Sequence, residues 1–109
     1  MLNAKFEIVV PSTFGESSAA DKDFVASCLD HVVVAFNNYF GGCTVIDGNG
    51  CWNNDTGDTI AESVKIVYAY GDDNYESWNT VCSLAEWVKL TMLQSAVLIA
   101  RSPAYGELI

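Results

Sequence analysis

The order in which apolar side chains repeat along the chain constrains its fold more than any other feature. Residues 5–10 alternate so that Phe6, Ile8 and Val10 share one side, which is typical of a half-buried strand. Residues 21–40 carry apolar side chains at helical spacing, and the glycine pair at 41–42 stops the helix. Two further strand patterns, a second helix and a last strand follow at residues 43–52, 59–70, 75–93 and 95–102.

The resulting order of strand, helix, strand, strand, helix, strand is the split βαβ pattern, which predicts a ferredoxin-like α+β fold. Two helices would cover one face of an antiparallel sheet of four strands, with the first and last strands as neighbours. A chain of 109 residues with 50% hydrophobic content can fill one core, so we expect a single domain over residues 1–109. Residues 12–20 are predicted to be a loop, and Gly48 and Gly50 predict a kink in the second strand. Pro103 is expected to end the last strand.

The face of this sheet that the helices leave open is expected to be both apolar and charged. With Phe6 directed toward the helices, Glu7 points outward, and a row of Lys65, Glu7 and Arg101 would cross three neighbouring strands. Such a face predicts a homodimer interface, although an ordinary half-solvated sheet face is the alternative. The apolar residues predicted to form this interface are Val9, Val67 and Ile99.

The charge balance excludes one class of function. Fourteen acidic residues against five basic ones give a net charge of −9, so the chain has no basic face for direct nucleic-acid binding. Several of the acids precede the two helices, where they stabilise the positive helix ends and leave a negative surface suited to a basic protein partner. The N-terminus has no leader pattern and no segment is long enough to span a membrane, so we expect a cytosolic protein.

The metal-binding and redox signals are weak. Four cysteines without a C-x-x-C pair and a single histidine, His31, do not predict a zinc site, and we expect no cofactor and four reduced thiols. The oxygen-rich segment 47–58 departs from the EF-hand spacing, and turn chemistry explains its Asn, Asp and Gly residues.

The second helix offers a candidate partner surface. Trp87 and Leu90 lie on the polar side of its helical wheel, and a Trp on a rigid element is favoured in protein interfaces. Asp72, Asp73 and Glu76 at the helix start would add charge that attracts a basic partner. The alternative is that the C-terminal tail folds over Trp87.

Glu62 is the most unusual single residue. Alternation places it in phase with Val64, on the side expected to face the helices, and a buried carboxylate must be paired or protonated. We expect it to accept hydrogen bonds from the backbone near Gly50 or from the Trp52 indole. The alternative is a catalytic acid or base at Glu62 or His31, but no second catalytic partner stands at a clear spacing.

The segment 41–70, GGCTVIDGNGCWNNDTGDTIAESVKIVYAY, resembles a segment of small uncharacterised ferredoxin-like proteins of bacteria and phages. The positions that carry this resemblance are Thr44, Val45, Gly50, Trp52, Gly57 and Glu62. It implies a kinked hairpin and transfers no catalytic residue. In its small size and acidity the chain also resembles phage inhibitors of host defence systems, including anti-CRISPR proteins.

Three functions of different class follow from these patterns. The first is a non-enzymatic acidic binding protein, a phage or mobile-element inhibitor that covers the basic nucleic-acid-binding surface of a host defence protein. The second is a dimeric small-ligand binder, such as a sponge for signalling nucleotides. The third is a small ferredoxin-like enzyme that uses Glu62 or His31 as acid or base.

Overall fold

The computed structural model describes residues 2–15, 18–19 and 21–109, and its elements are numbered in chain order. The helices and strands are α1, Lys22–Phe40; α2, Tyr75–Thr91; β1, Leu2–Val10; β2, Thr13–Phe14; β3, Ser18–Ala19; β4, Thr44–Asn53; β5, Thr59–Gly71; and β6, Ile99–Gly106. One antiparallel sheet has the order β4–β5–β1–β6, and β2 pairs with β3 beside it. This topology confirms the predicted ferredoxin-like α+β fold, including the adjacent first and last strands.

Both helices begin and end at residues whose local chemistry favours a helix terminus. Asp21 Oδ1 accepts hydrogen bonds from the backbone N–H groups of Asp23 and Phe24, and Gly41 ends α1 with φ +83°. Asn74 caps α2 through the same kind of side-chain acceptor. Within the described chain, neither helix is long and apolar enough to cross a membrane.

The hydrophobic core lies between the sheet and the two helices. In β1, Ala4, Phe6, Ile8 and Val10 are at most 1% exposed, as the alternation predicts. The residues that α1 and α2 contribute to the same core include Cys28, Val32, Phe36, Val81, Leu84, Ala85 and Val88. The core therefore fixes which face of each strand points toward the helices.

In β5 the face toward the helices is opposite to the one that the sequence predicted. Val67 is fully buried opposite Ile8, and Ala69 is buried with it, so the odd-numbered residues of β5 face the helices. The reason is space, because a Cβ atom added at Gly71 would lie 2.7 Å from Cδ1 of Phe40. Helix α1 fills the core with aromatic rings, and the strand beneath it supplies small side chains.

The predicted charged row across the sheet does not form. Lys65 lies opposite Val10 and Arg101 lies opposite Phe6, so both cations share the helix-facing side, whereas Glu7 points to the other side. The three side chains Lys65, Glu7 and Arg101 pair instead with Asp47, Lys5 and Asp73, respectively. The row was wrong because the phases of both β5 and β6 were assigned to the wrong face.

The same correction applies to the predicted homodimer interface. Val67 is 0% exposed, and Ile99 lies opposite Ile8 and packs against the core, so neither is available on the open face. Val9 is the only member of the predicted set whose side chain points away from the helices. The open face of the sheet instead carries Thr44, Ile46 and Trp52 from β4, Ile60, Glu62, Val64, Ile66, Tyr68 and Tyr70 from β5, and Lys5, Glu7 and Val9 from β1.

Strand β4 is continuous, without the kink predicted at its glycines. Gly48 lies opposite Val64 and Gly50 opposite Glu62 in an unbroken register. A Cβ atom at Gly48 would lie 3.2 Å from Cδ1 of Ile66 and 3.3 Å from Cγ2 of Val64. This glycine therefore makes room for branched side chains of β5.

Strand β6 and the segment after β1 also differ from the predicted boundaries. β6 begins at Ile99 and continues through Pro103 to Gly106, because it is an edge strand and a proline on an edge need not donate to a neighbour. Residues 12–20, predicted as a loop, include the short β2–β3 pair. Residues 16, 17 and 20 of that stretch lie outside the described residues.

Candidate functional site

A cleft of about 390 Å³ lies on the open side of the sheet, between the β4–β5 hairpin and the segment 94–98 that leads into β6. We call it the Glu62 cleft; its walls are Val9, Pro11, Gly50, Cys51, Trp52, Glu62, Val64 and residues 94–98. Its volume falls in the range of small-molecule sites, and the described part of its lining is largely apolar with one carboxylate, that of Glu62. These properties make it the strongest candidate for a ligand site in the described part of the chain.

The Glu62 carboxylate is half-buried and is held by one neighbour, Ser12. The backbone N–H of Ser12 donates a 3.1 Å hydrogen bond to Oε2 of Glu62, and the Ser12 hydroxyl donates a second one of 3.3 Å to the same oxygen. Within the described residues, no hydrogen bond ends on Oε1. The predicted partners, the backbone near Gly50 and the Trp52 indole, are therefore wrong, and the predicted burial against the helices is wrong as well.

This arrangement gives the carboxylate a defined orientation, and its Oε1 accepts no hydrogen bond from the residues that the structure describes. A ligand that carries a positive charge or donates hydrogen bonds can satisfy that oxygen, and Trp52 offers an aromatic surface in the same cleft. The opposite wall is held in place by Gln94. Its Nε2 donates to the backbone oxygens of Thr13 at 2.8 Å and Met92 at 3.1 Å, which ties the segment 94–98 to the end of α2.

The lysine and arginine side chains of the protein lie outside the Glu62 cleft. None of its four lysines and one arginine lines the Glu62 cleft. The ion pairs that occupy three of these five cations are Lys5–Glu7, Lys65–Asp47 and Arg101–Asp73. The cleft is therefore poorly suited to phosphate groups, which proteins bind through Arg, Lys and helix N-termini.

Trp87 does not stand free on the polar side of α2. Its ring stacks on His31 of α1 with 3.8 Å between centroids and an interplanar angle of 18°, and Trp87 is half-buried. The C-terminal tail does not cover it, because Tyr105 and Leu108 are exposed by 66% and 92%. The two residues meet because each lies at the margin of the apolar face of its helix, so Trp87 contributes to the contact between α1 and α2.

The remaining residues of the predicted partner surface lie at opposite ends of α2. Asp72 and Glu76 are exposed at its start, whereas Asp73 approaches Arg101 at 3.7 Å. Leu90, 71% exposed, lies about 21 Å further along the helix at the usual rise of about 1.5 Å per residue. The structure does not bring the acids and Leu90 together as one compact patch.

The described residues contain no group of three or more His, Cys, Asp or Glu side chains that could hold a metal ion. In the oxygen-rich turn, Asn54 Oδ1 accepts hydrogen bonds from the backbone N–H groups of Thr56 and Asp58, which is ordinary turn chemistry. All four cysteines are free thiols, and burial raises the pKa of Cys28 and of Cys43.

The fold and the cleft define a ferredoxin-like α+β protein with an acidic ligand-sized site. Residues 13–107 match the family described as "Protein of unknown function (DUF3574)", and the chain belongs to this family. No curated protein matches its sequence.

Solved structures with the same fold include an enzyme and two divalent cation tolerance proteins. A phage SAM lyase in complex with S-methyl-5′-thioadenosine is similar with a TM-score of 0.68 and 13% identity, over 93% of this chain and 81% of that one. The periplasmic divalent cation tolerance protein CutA from Archaeoglobus fulgidus has a TM-score of 0.58 and 12% identity, over 99% and 88% of the two chains. The divalent cation tolerance protein Cut A1 from Thermus thermophilus has a TM-score of 0.56 and 10% identity, over 98% and 88%. At these identities the similarity establishes the fold.

Proposed function

We propose that the protein binds a small cationic nucleoside in the Glu62 cleft, of the sulfonium class to which SAM belongs. The observation that carries this proposal is the Glu62 carboxylate, whose Oε2 is held by Ser12 while Oε1 takes no hydrogen bond within the described residues. The fold that the chain shares with a phage SAM lyase supports the same class of ligand.

The charges of the protein favour a cation over a phosphate-bearing nucleotide. The net charge of −9 attracts cations over a distance, and the cleft contains a carboxylate and no lysine or arginine. A sulfonium group next to a half-buried carboxylate gains Coulomb energy that a phosphate would lose. Among the small-ligand functions, this argues against signalling nucleotides that carry several phosphates.

Trp52 supplies the second element of recognition. It is half-buried in the wall of the cleft, and stacking of a base on an aromatic ring contributes about 1–3 kcal/mol. The adenine of a sulfonium nucleoside would stack on Trp52 while its charged or hydroxyl groups face Glu62. The site thereby combines one aromatic contact with one charged contact.

Binding should be measured by calorimetry with two probes that differ in charge, SAM and the neutral thioether S-methyl-5′-thioadenosine. We expect Glu62→Gln to weaken the binding of SAM by about 1–2 kcal/mol, or about fivefold to thirtyfold, because it removes one charge from a partly solvated site. The affinity for the thioether should fall less. Glu86→Gln, on the exposed face of α2, is the matched control and should bind both probes normally.

Two outcomes would overturn this proposal. The proposal is overturned if neither probe binds at millimolar concentration. It is also overturned if Glu86→Gln weakens SAM binding as much as Glu62→Gln does, because Glu62 would then have no specific role. Chromatography of SAM after incubation with the protein adds a further test. Formation of S-methyl-5′-thioadenosine by the wild type, absent with Glu62→Gln, would make the site catalytic as well as binding.

A second candidate function is the acidic inhibitor that covers a basic, nucleic-acid-binding surface of a host defence protein. The exposure of Asp72 and Glu76 at the start of α2 favours it, because opposite charges steer association. Binding to a purified host protein should weaken as salt rises and in the variant Asp72→Asn with Glu76→Gln. Trp87→Ala should lower the melting temperature but leave affinity per folded molecule unchanged, since Trp87 packs on His31. Salt-insensitive binding would contradict this role.

A further inference from the structure

In β5 the open face of the sheet carries larger apolar side chains than the face that covers the core. Ile66, Tyr68 and Tyr70 of β5 point to the open face, whereas Val67 and Ala69 face the helices. Sheets with one face in water usually place polar residues there. An apolar face of this kind is typical of a surface that another protein covers.

The most exposed part of this face is on the outer strand of the hairpin. Ile46 of β4 is 46% exposed and lies directly opposite Ile66 of β5 in the register. Val9 of β1 lies opposite Ile66 on its other side, so the three side chains cross three neighbouring strands. They form a continuous apolar row across β4, β5 and β1.

The charge distribution favours a second copy of this chain over a basic protein as the partner of this row. The open face carries one lysine and two glutamates, so one net negative charge of the nine is located there. Lys5 and Glu7 pair with each other at 3.1 Å. A basic partner would be attracted to the other surfaces of the protein, whereas two copies of this acidic chain repel each other least through this face.

The size of the face also suits self-association. Strands of 9, 10, 13 and 8 residues form the sheet. Such a sheet measures roughly 33 by 19 Å, and this flat area of roughly 600 Å² approaches the ~800 Å² that each partner buries in a standard interface.

We propose that a second copy of this chain packs on the open face, sheet against sheet, with Val9, Ile46 and Ile66 at the contact. Two sheets packed in this way lie about 10 Å apart with their side chains interdigitated. Of the three interface residues predicted from the sequence, this contact retains Val9. Ile46 and Ile66 take the place of Val67 and Ile99. Val9 also lines the Glu62 cleft, so this contact borders the cleft, but the proposal rests on the apolar row and not on a ligand.

Light scattering of the full chain at about 100 µM tests the proposal. This concentration lies well above micromolar dissociation constants, so a weak dimer would be populated. The wild type is expected to show the mass of at least two chains of 11.8 kDa. Ile46→Glu and, separately, Ile66→Glu should reduce it to one chain, because each places a charge in an apolar contact. Val45→Glu is the matched control. Val45 is adjacent and 40% exposed, but its side chain points to the opposite side of β4, so the assembly should persist.

Circular dichroism separates loss of assembly from loss of folding. The Ile46→Glu protein should retain the wild-type spectrum, because its side chain lies outside the core. A wild-type mass of one chain overturns the proposal. An assembly that survives both Ile46→Glu and Ile66→Glu, or one that Val45→Glu disrupts equally, overturns the choice of face.

Discussion

Replacing Val67 with aspartate is expected to unfold the protein at room temperature. Val67 is 0% exposed, lies opposite Ile8 in the sheet and belongs to the core beneath the helices. A carboxylate at this position would have no contact with water. An unpaired buried charge lowers the free energy of unfolding by several kcal/mol. Natural domains have a free energy of unfolding of only about 5–15 kcal/mol, so this loss is large. Circular dichroism and urea denaturation measure the outcome.

The adjacent residue provides the control. Ile66 is half-buried on the open face, so Ile66→Asp places its charge toward solvent, and the chain should remain folded as a monomer. If Ile66→Asp unfolds the chain while Val67→Asp leaves it folded, then the even-numbered residues of β5 face the helices after all. The pair of variants therefore tests the orientation of the central strand directly.

The sequence predicts those parts of the fold whose signals are local. Asp21 and Gly41 mark the ends of α1, and Asn74 marks the start of α2, because capping depends on residues within one turn. The order of strand and helix patterns was sufficient to predict the sheet topology. In β1 the alternation also assigned the correct face, because its polar residues Lys5 and Glu7 mark the other side.

The face of β5 could not be predicted in this way, because β5 is apolar on both sides. Alternation grouped Ile66, Tyr68 and Tyr70 with Val64 and placed this set on the side expected to face the helices. What reverses the assignment is the Phe40 ring of α1 above Gly71, a contact between residues far apart in the chain. Volume matching across the core is a tertiary property, and alternation within one strand carries no information about it.

The candidate site was only partly predictable for the same reason. Glu62 was identifiable because a carboxylate in an apolar strand needs a partner, but the partner Ser12 is 50 positions away. The stack between His31 and Trp87 joins two helices at the margins of their apolar faces, where a helical wheel does not distinguish packed from exposed positions. In both cases the sequence drew attention to the side chain but did not indicate its neighbour.

Gly71→Ala is expected to lower the free energy of unfolding by about 1–3 kcal/mol through overpacking. The added Cβ atom would lie 2.7 Å from Cδ1 and 2.9 Å from Cε1 of Phe40. Movement of that ring is opposed by its contacts with Phe6 and Phe36, whose ring centroids lie 5.2 Å and 5.3 Å from its own. Gly42→Ala is the control, since a Cβ atom there has nothing within 4 Å and the change should be nearly neutral.

A double-mutant cycle shows whether the Phe40 ring is the cause of this loss. Phe40→Leu removes the ring edge that meets the new methyl group, so Gly71→Ala should cost less in its presence than in the wild type. Urea denaturation of the wild type, the two single variants and the double variant gives the four free energies required. If the two losses simply add, the strain arises elsewhere, and the close approach of α1 to β5 does not explain why the core face of this strand is built from small residues.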